Sequence, residues 1–241
     1  MADTTKHIST VLLGRTRYAD AWDIQRKVFD ARVHGRIGDV LLLTEHEPVY
    51  TLGKGANEHH VLASAEELER RSIDIHWIDR GGDVTFHGPG QIVGYPIIDL
   101  NNFYLDVHRY LRDLEEMLIR TLAVYHIEAG RSEGYTGVWV GNEKAAAIGV
   151  KMQRWITMHG FALNVSTDLS YFERIIPCGI FHKGVTSMQQ LTGAPISIGE
   201  VMPVVINNFE SVFGVCAREL PLDELLAECA DTAHAAKDAT E

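Results

Sequence analysis

The sequence predicts an α+β domain in which a mixed, largely antiparallel sheet is flanked by helices. Three observations point that way. Strand-like runs come in groups rather than in a regular alternation with helices. "TGVWVG", "KAAAIGVKMQ" and "WITMHGFALNV" are β-type runs divided only by short polar or glycine breaks, the pattern of an antiparallel meander. Between the strand groups stands "YLDVHRYLRDLEEMLIRTLAVYHI", whose apolar residues recur every three or four positions, as an amphipathic helix requires.

Taken in order, "RYADAWDIQRKVFDARVHGR" has helical spacing, with Ala21, Ile24, Val28 and Ala31 on one face. "DVLLLTEH" and "PVYTLG" read as strands. Ser64 opens "SAEELERRS" with Glu67 three residues on, the spacing of a capping box ahead of a short helix. "IDIHWID" alternates as a strand does, and "IVGYPIIDL" is apolar enough for a strand buried on both faces. "GEVMPVVINNFESVFG" and "LDELLAECA" close the chain as helices. At 241 residues, without linker or repeat, this makes one domain over 1–220 followed by an acidic helix or tail over 221–241.

Composition narrows the function. Hydrophobic residues make up 46% and charged residues 23%, which suits a globular protein with a substantial core. The apolar stretch in "HISTVLLGR" is too short for a secretory or membrane segment, so a cytoplasmic protein with no membrane role is expected. A net charge of -11 argues against nucleic-acid binding. Much of that charge lies from Glu219 onward, where seven acids face a single lysine, Lys237. Basic residues remain around Lys151, Arg154, Arg174 and Lys183, where a negatively charged partner could dock. The three cysteines, Cys178, Cys216 and Cys229, show neither a disulfide framework nor a metal-type pairing, and no metal or cofactor is expected.

Two features invite chemistry. "RGGDVTFHGPGQ", residues 80–91, carries Gly81, Gly82, Gly88 and Gly90, with Pro89 between the last two, and such backbone admits positive φ and close approach of a ligand. It matches neither the phosphate loop nor the dinucleotide fingerprint, and a plain hairpin turn would use the same residues. Cys178 stands between a proline and a glycine in "RIIPCGIFHKGVTS", a setting more exposed than the apolar or helical patterns around Cys216 and Cys229. A thiol of ordinary pKa needs a cation or base beside it, and His87, His159, His182, Lys144 and Lys183 are the candidates. Lys144 heads a run so rich in alanine and glycine that something bulky should lie across it. A unit charge roughly 4 Å away at an effective dielectric of about 20 is worth about 4 kcal/mol, enough to ionise a thiol near neutrality.

Three ordered blocks, "RGGDVTFHGPGQ" (80–91), "KAAAIGVKMQRWITMHGFALNV" (144–165) and "PCGIFHKGVTSM" (177–188), resemble the lipoyl(octanoyl) transferase family, octanoyl-acyl carrier protein:protein N-octanoyltransferases. The resemblance implies the fold of the biotin and lipoate ligase catalytic domain. It implies a cysteine acyltransferase in which Cys178 takes an octanoyl group from acyl carrier protein as a thioester and passes it to a lysine of a lipoyl domain or glycine-cleavage H protein. Lys144 would complete a Cys/Lys dyad. Substrate contacts would fall on Arg80, Gly81, Gly82, Asp83, Val84, Thr85, Phe86 and His87, on Ala147, Ile148 and Gly149, and on Gly160, Phe161 and Ala162. Carrier docking would gather Arg and Lys near Cys178, away from the acidic tail.

The rival readings are an ATP-dependent lipoate or biotin-type ligase of the same fold, a non-catalytic module that holds an acylated carrier, and a cysteine hydrolase. A ligase would need ATP and no cysteine nucleophile; a binding module would form no covalent adduct. Chain length is less legible. A methylene is worth about 0.8 kcal/mol, so sharp selection needs a closed tunnel end that no motif displays.

Overall fold

A computed structural model describes residues 6–176 and 183–230. Cys178 and His182 lie outside the described residues, as does the acidic stretch beyond Ala230.

The large sheet is built around β2 (Asp39–His46), β6 (Gln91–Ile97) and β10 (Ile156–Asn164), which pair antiparallel in that order. All of β6 and β10 is buried. Such strands need apolar or small residues on both faces, which is why "IVGYPII" and "ITMHGFALN" read as continuous rather than alternating runs. Beyond β10 the sheet continues antiparallel through β9 (Glu143–Gln153), β8 (Tyr135–Val140) and β7 (Gly130–Ser132), the meander expected from sequence. The two-residue β11 (Gly184–Val185) pairs parallel with the start of β9, Val185 opposite Lys144.

On the other side of β2 lie two strands that the sequence pattern does not announce. β1 (Lys6–Thr16) runs parallel to β2, and β12 (Val215–Glu219) runs parallel to β1 at the sheet edge. A separate three-stranded sheet joins β3 (Val49–Leu52) to β4 (Asp74–Trp77) and β5 (Val84–His87) in the order β4-β3-β5.

Period-two alternation sends β2 side chains to two cores. Leu41 and Leu43 face α3 (Val107–Val124) and α5 (Ile198–Phe213). Val40 and Leu42 face α1 (Tyr18–Val33) and α6 (Leu222–Ala230). In α1 the residues Ala21, Val28 and Ala31 are buried as expected while Ile24 is half-buried. Ser64 caps α2 (Ala65–Arg70) by accepting from the Glu67 amide, and Asp106 caps α3 by accepting from Arg109. The acidic C-terminal segment begins as a packed helix, since Leu225 and Cys229 of α6 join the core on the α1 side. Burial pushes the Cys229 thiol pKa up, away from reactivity. Among the described residues no helix is long and apolar enough to cross a membrane, and no cluster of three or more His, Cys, Asp or Glu could hold a metal ion.

Candidate active site

A cavity of about 530 Å³ opens between the β6, β10 and β9 part of the large sheet and the segment that runs from Ile78 through β5. That volume is ordinary for a small-ligand site. β9 runs along it, so its lining extends from Lys144 to Val150, a span of roughly 20 Å for an extended strand. Tyr135, Thr136 and Val185 accompany Lys144, whereas Tyr18, Tyr95 and His159 also line the cavity.

The loop before β5 docks directly on β9. The Gly81 amide donates to the Val150 carbonyl at 3.1 Å. Gly149 makes this approach possible, because a Cβ there would stand 3.1 Å from both the Arg80 Cδ and the Gly81 carbonyl oxygen. Arg80 is buried and donates through Nη2 to the Thr51 carbonyl at 2.8 Å and to Thr51 Oγ1 at 3.0 Å. Asp83 braces the same loop, accepting from the Val84 amide at 2.7 Å and pairing with His60.

The wall contributed by β5 and β6 is a chain of satisfied polar groups. Gln91 donates through Nε2 to the Phe86 carbonyl at 3.2 Å and to Asn164 Oδ1 at 2.8 Å. Its Oε1 is thereby turned toward His87 Nδ1, 2.7 Å away, so that nitrogen carries the hydrogen and Nε2 is left an acceptor. Asn164 in turn donates to the Thr186 carbonyl at 3.0 Å, and the Thr186 amide donates to the Lys144 carbonyl at 3.0 Å. Burial holds His87 neutral, its pKa lowered to about 3, with the neighbouring His46 adding to the effect. Burial likewise lowers His46 to about 4; its Nε2 meets the Tyr95 hydroxyl at 2.6 Å. The His87 ring stacks on Tyr18 with an interplanar angle of 4°.

His159 Nε2 meets Asp79 Oδ1 at 2.8 Å, and Lys151 donates to Asp79 Oδ2 at 2.6 Å. The His159 hydrogen bond, with Lys151 beside it, holds the Asp79 carboxyl well below the usual carboxylate range. His159 itself is pulled down by burial, against the opposing pull of Asp79. Its backbone is left-handed, with φ at 58° inside a strand, a conformation a non-glycine residue adopts only when its surroundings compel it.

Comparison with known proteins now bears on the site. Residues 17–210 match the lipoyl protein ligase A/B catalytic domain family. The chain belongs to this family. Within reach of it, a protein named octanoyltransferase from Rubrobacter xylanophilus is 52% identical over 205 residues, covering 84% of this chain and 92% of the relative. A second protein of that name, from Clostridium kluyveri, is 48% identical over 196 residues, covering 81% and 84%. Among solved structures, the bipartite lipoate protein ligase of Thermoplasma acidophilum superposes with a TM-score of 0.68 at 17% identity, covering 92% of this chain and 91% of that one. LipL1 of P. falciparum, solved with lipoate, superposes at 0.70 with 9% identity, covering 94% and 68%. At such identities the structures speak for the fold alone, and that fold is the ligase-type catalytic domain the sequence motifs imply.

The first two motif blocks of this chain line this cavity, and Val185 represents the third. Arg80, Gly81, Gly82, Asp83, Val84, Thr85 and His87 line it from one side. Lys144, Ala147, Ile148, Gly149, Gly160, Phe161 and Ala162 line it from the large sheet. Phe86 does not; on a strand its side chain points opposite to those of Thr85 and His87, and it stacks on Tyr171 with centroids 4.5 Å apart. Of the four glycines in the first motif, Gly82 and Gly90 adopt positive φ and Gly81 and Gly88 do not. Lys183 is also near Lys144, both ammonium groups lying 4.7 Å from the centroid of the Trp139 ring. Tyr18, Gln91, Tyr95 and Asn164 line the cavity without having been anticipated as site residues. Gln91 ends the first motif and Asn164 is next to last in the second, so their place in the motifs was the available signal.

Proposed function

We propose that the protein transfers an octanoyl group from the thioester of an acyl carrier protein to a lysine amine of lipoyl domains and the glycine-cleavage H protein, through a thioester on Cys178, as a step of lipoate biosynthesis. The observation that carries this reading is the close similarity to proteins named octanoyltransferase over more than four fifths of the chain. The cavity supports it. It is elongated and mostly apolar, it has Lys144 along its wall, and Phe172 and Val185 line it from either side in sequence of the segment that contains Cys178.

The chemistry runs in two steps. The Cys178 thiolate attacks the thioester carbonyl, a new C–S bond forms, and the carrier thiol departs with a proton supplied by Lys144. The acceptor amine then attacks the acyl-enzyme, loses its proton to Lys144, and leaves as the octanoyl amide while Cys178 is released as thiolate. The thioester already carries the activation that an amide requires, so ATP has no part. The basic side chain of Lys183, which shares the Trp139 ring with Lys144, suits an acidic carrier.

Intact mass spectrometry of the protein after incubation with octanoyl-carrier, without ATP, is the test. A single octanoyl adduct on Cys178 that disappears when a lipoyl domain is added is the expected result. Cys178→Ser should abolish transfer, and Lys144→Ala should slow acylation by about 10²- to 10⁴-fold while the fold persists. Turnover that requires ATP and survives Cys178→Ser would turn the reading over to a ligase.

A further inference from the structure

Glu115 lies in the middle of α3 and is 1% exposed, among the buried Leu114, Met117, Leu118 and Leu122 of the same helix. Three donors converge on its carboxylate. Oε1 accepts from the Gly137 amide at 3.0 Å, and Oε2 accepts from Arg112 Nη1 at 2.6 Å and Arg131 Nε at 3.0 Å. Only a carboxylate accepts on both oxygens; an amide would turn an NH₂ group toward one set of donors.

Gly137 is the connection to the site. It sits in β8 with φ at 124°, beside an irregularity in the pairing of β8 with β9. Val138 faces Ala146 and Trp139 faces Lys144, so Ala145 has no opposite residue. A bulge of this kind re-aims the neighbouring side chain. Here Ala145 and Ala146, adjacent in sequence, both join the core on the α3 side, which a regular strand would not give. A Cβ on residue 137 would lie 2.7 Å from the Ala146 carbonyl oxygen and 3.5 and 3.6 Å from Lys144 Cε and Cδ. The Lys144 side chain therefore passes across the bare backbone of Gly137.

We infer that Glu115 is a positioning residue for Lys144, anchoring the Gly137 backbone so that the lysine chain is held across it toward the reacting thioester. The inference rests on the role of Lys144 given above. It accounts for a buried carboxylate in the helix, for its two-sided set of donors, and for a glycine at a position where a Cβ would strike the Ala146 carbonyl oxygen and lie against the lysine chain.

Single-turnover acylation of Cys178 by octanoyl-carrier, followed from about pH 6 to about pH 10, tests it with four proteins: the native chain, Glu115→Gln, Lys144→Ala and the double variant. Glu115→Gln is expected to slow acylation about tenfold and to displace the pH profile in the same direction as Lys144→Ala, with little added effect in the double variant, as coupled neighbours behave. Equal slowing with and without Lys144, or an unmoved profile accompanied only by a lower unfolding temperature, would make Glu115 purely structural and overturn the inference. If Lys144→Ala itself changes nothing, the role of Lys144 falls first and this inference with it. Should Glu115→Gln fail to fold, Arg131→Met decides: it removes one donor at a part-exposed position, and a profile that does not move again overturns the inference.

Discussion

Gln91 decides which nitrogen of His87 carries hydrogen. Its amide is oriented by two acceptors, Phe86 O and Asn164 Oδ1, and the remaining oxygen claims His87 Nδ1. Gln91→Leu would leave three buried polar groups without this partner. Each such group costs about 1–3 kcal/mol, so urea unfolding should register a loss of at least about 2 kcal/mol. Unchanged stability would mean that the wall readily finds other partners. At this scale the place of His87 and Lys144 at the cavity was legible because their residue types stand out in glycine- and alanine-rich surroundings. The contacts of Gln91, Asn164 and Glu115 were not, since an amide or carboxylate reads as a solvated side chain until its partners, from 16 to 73 residues away for Arg131 and Asn164, are in place. Phe86 was read as a site residue from its motif, yet the pleat turns its ring toward Tyr171.

Elements recognised from periodicity were those whose pattern is local. The three strands of the meander and helices α1, α3 and α5 all fall where their spacing predicts. β1 and β12 escaped because parallel pairing is made by a partner distant in sequence, and β12 is only five residues between two helices. The end of the chain behaves in a related way. Acidic and alanine-rich, "LDELLAECA" has little to distinguish a packed helix from a frayed one, yet Leu225 is 0% exposed in the core beneath α1. Leu225→Ala should therefore cost about 3 kcal/mol in urea unfolding. A change below about 0.5 kcal/mol would make α6 an appendage rather than part of the folded body.

Across the whole molecule, pH ties the site to stability. His46 and His87 sit neutral, with pKa values lowered to about 4 and about 3 by burial, against about 6.5 in an unfolded chain. Because both folded values are depressed, the unfolded chain binds more protons through this interval. The stability is fully present above about pH 6.5 and is lost as pH falls toward the folded values, at up to about 1.4 kcal/mol per pH unit for each histidine. His159, also lowered, acts with the same sign. Urea unfolding should lose at least about 2 kcal/mol between about pH 6 and about pH 5, and His46→Gln should remove part of that slope. A flat profile would show that these rings protonate inside the fold at no cost.

By itself the sequence determined the class of fold, the meander, and the motif blocks themselves, because hydrophobic period and residue chemistry are local properties of a chain. Only the tertiary structure decided that the first two of these blocks face one another across a cavity, that a carboxylate on α3 reaches the backbone beneath Lys144, and that the sheet extends to β1 and β12. Those outcomes depend on contacts between residues far apart in sequence, whose energies exist only once the two sheets and their helices have packed.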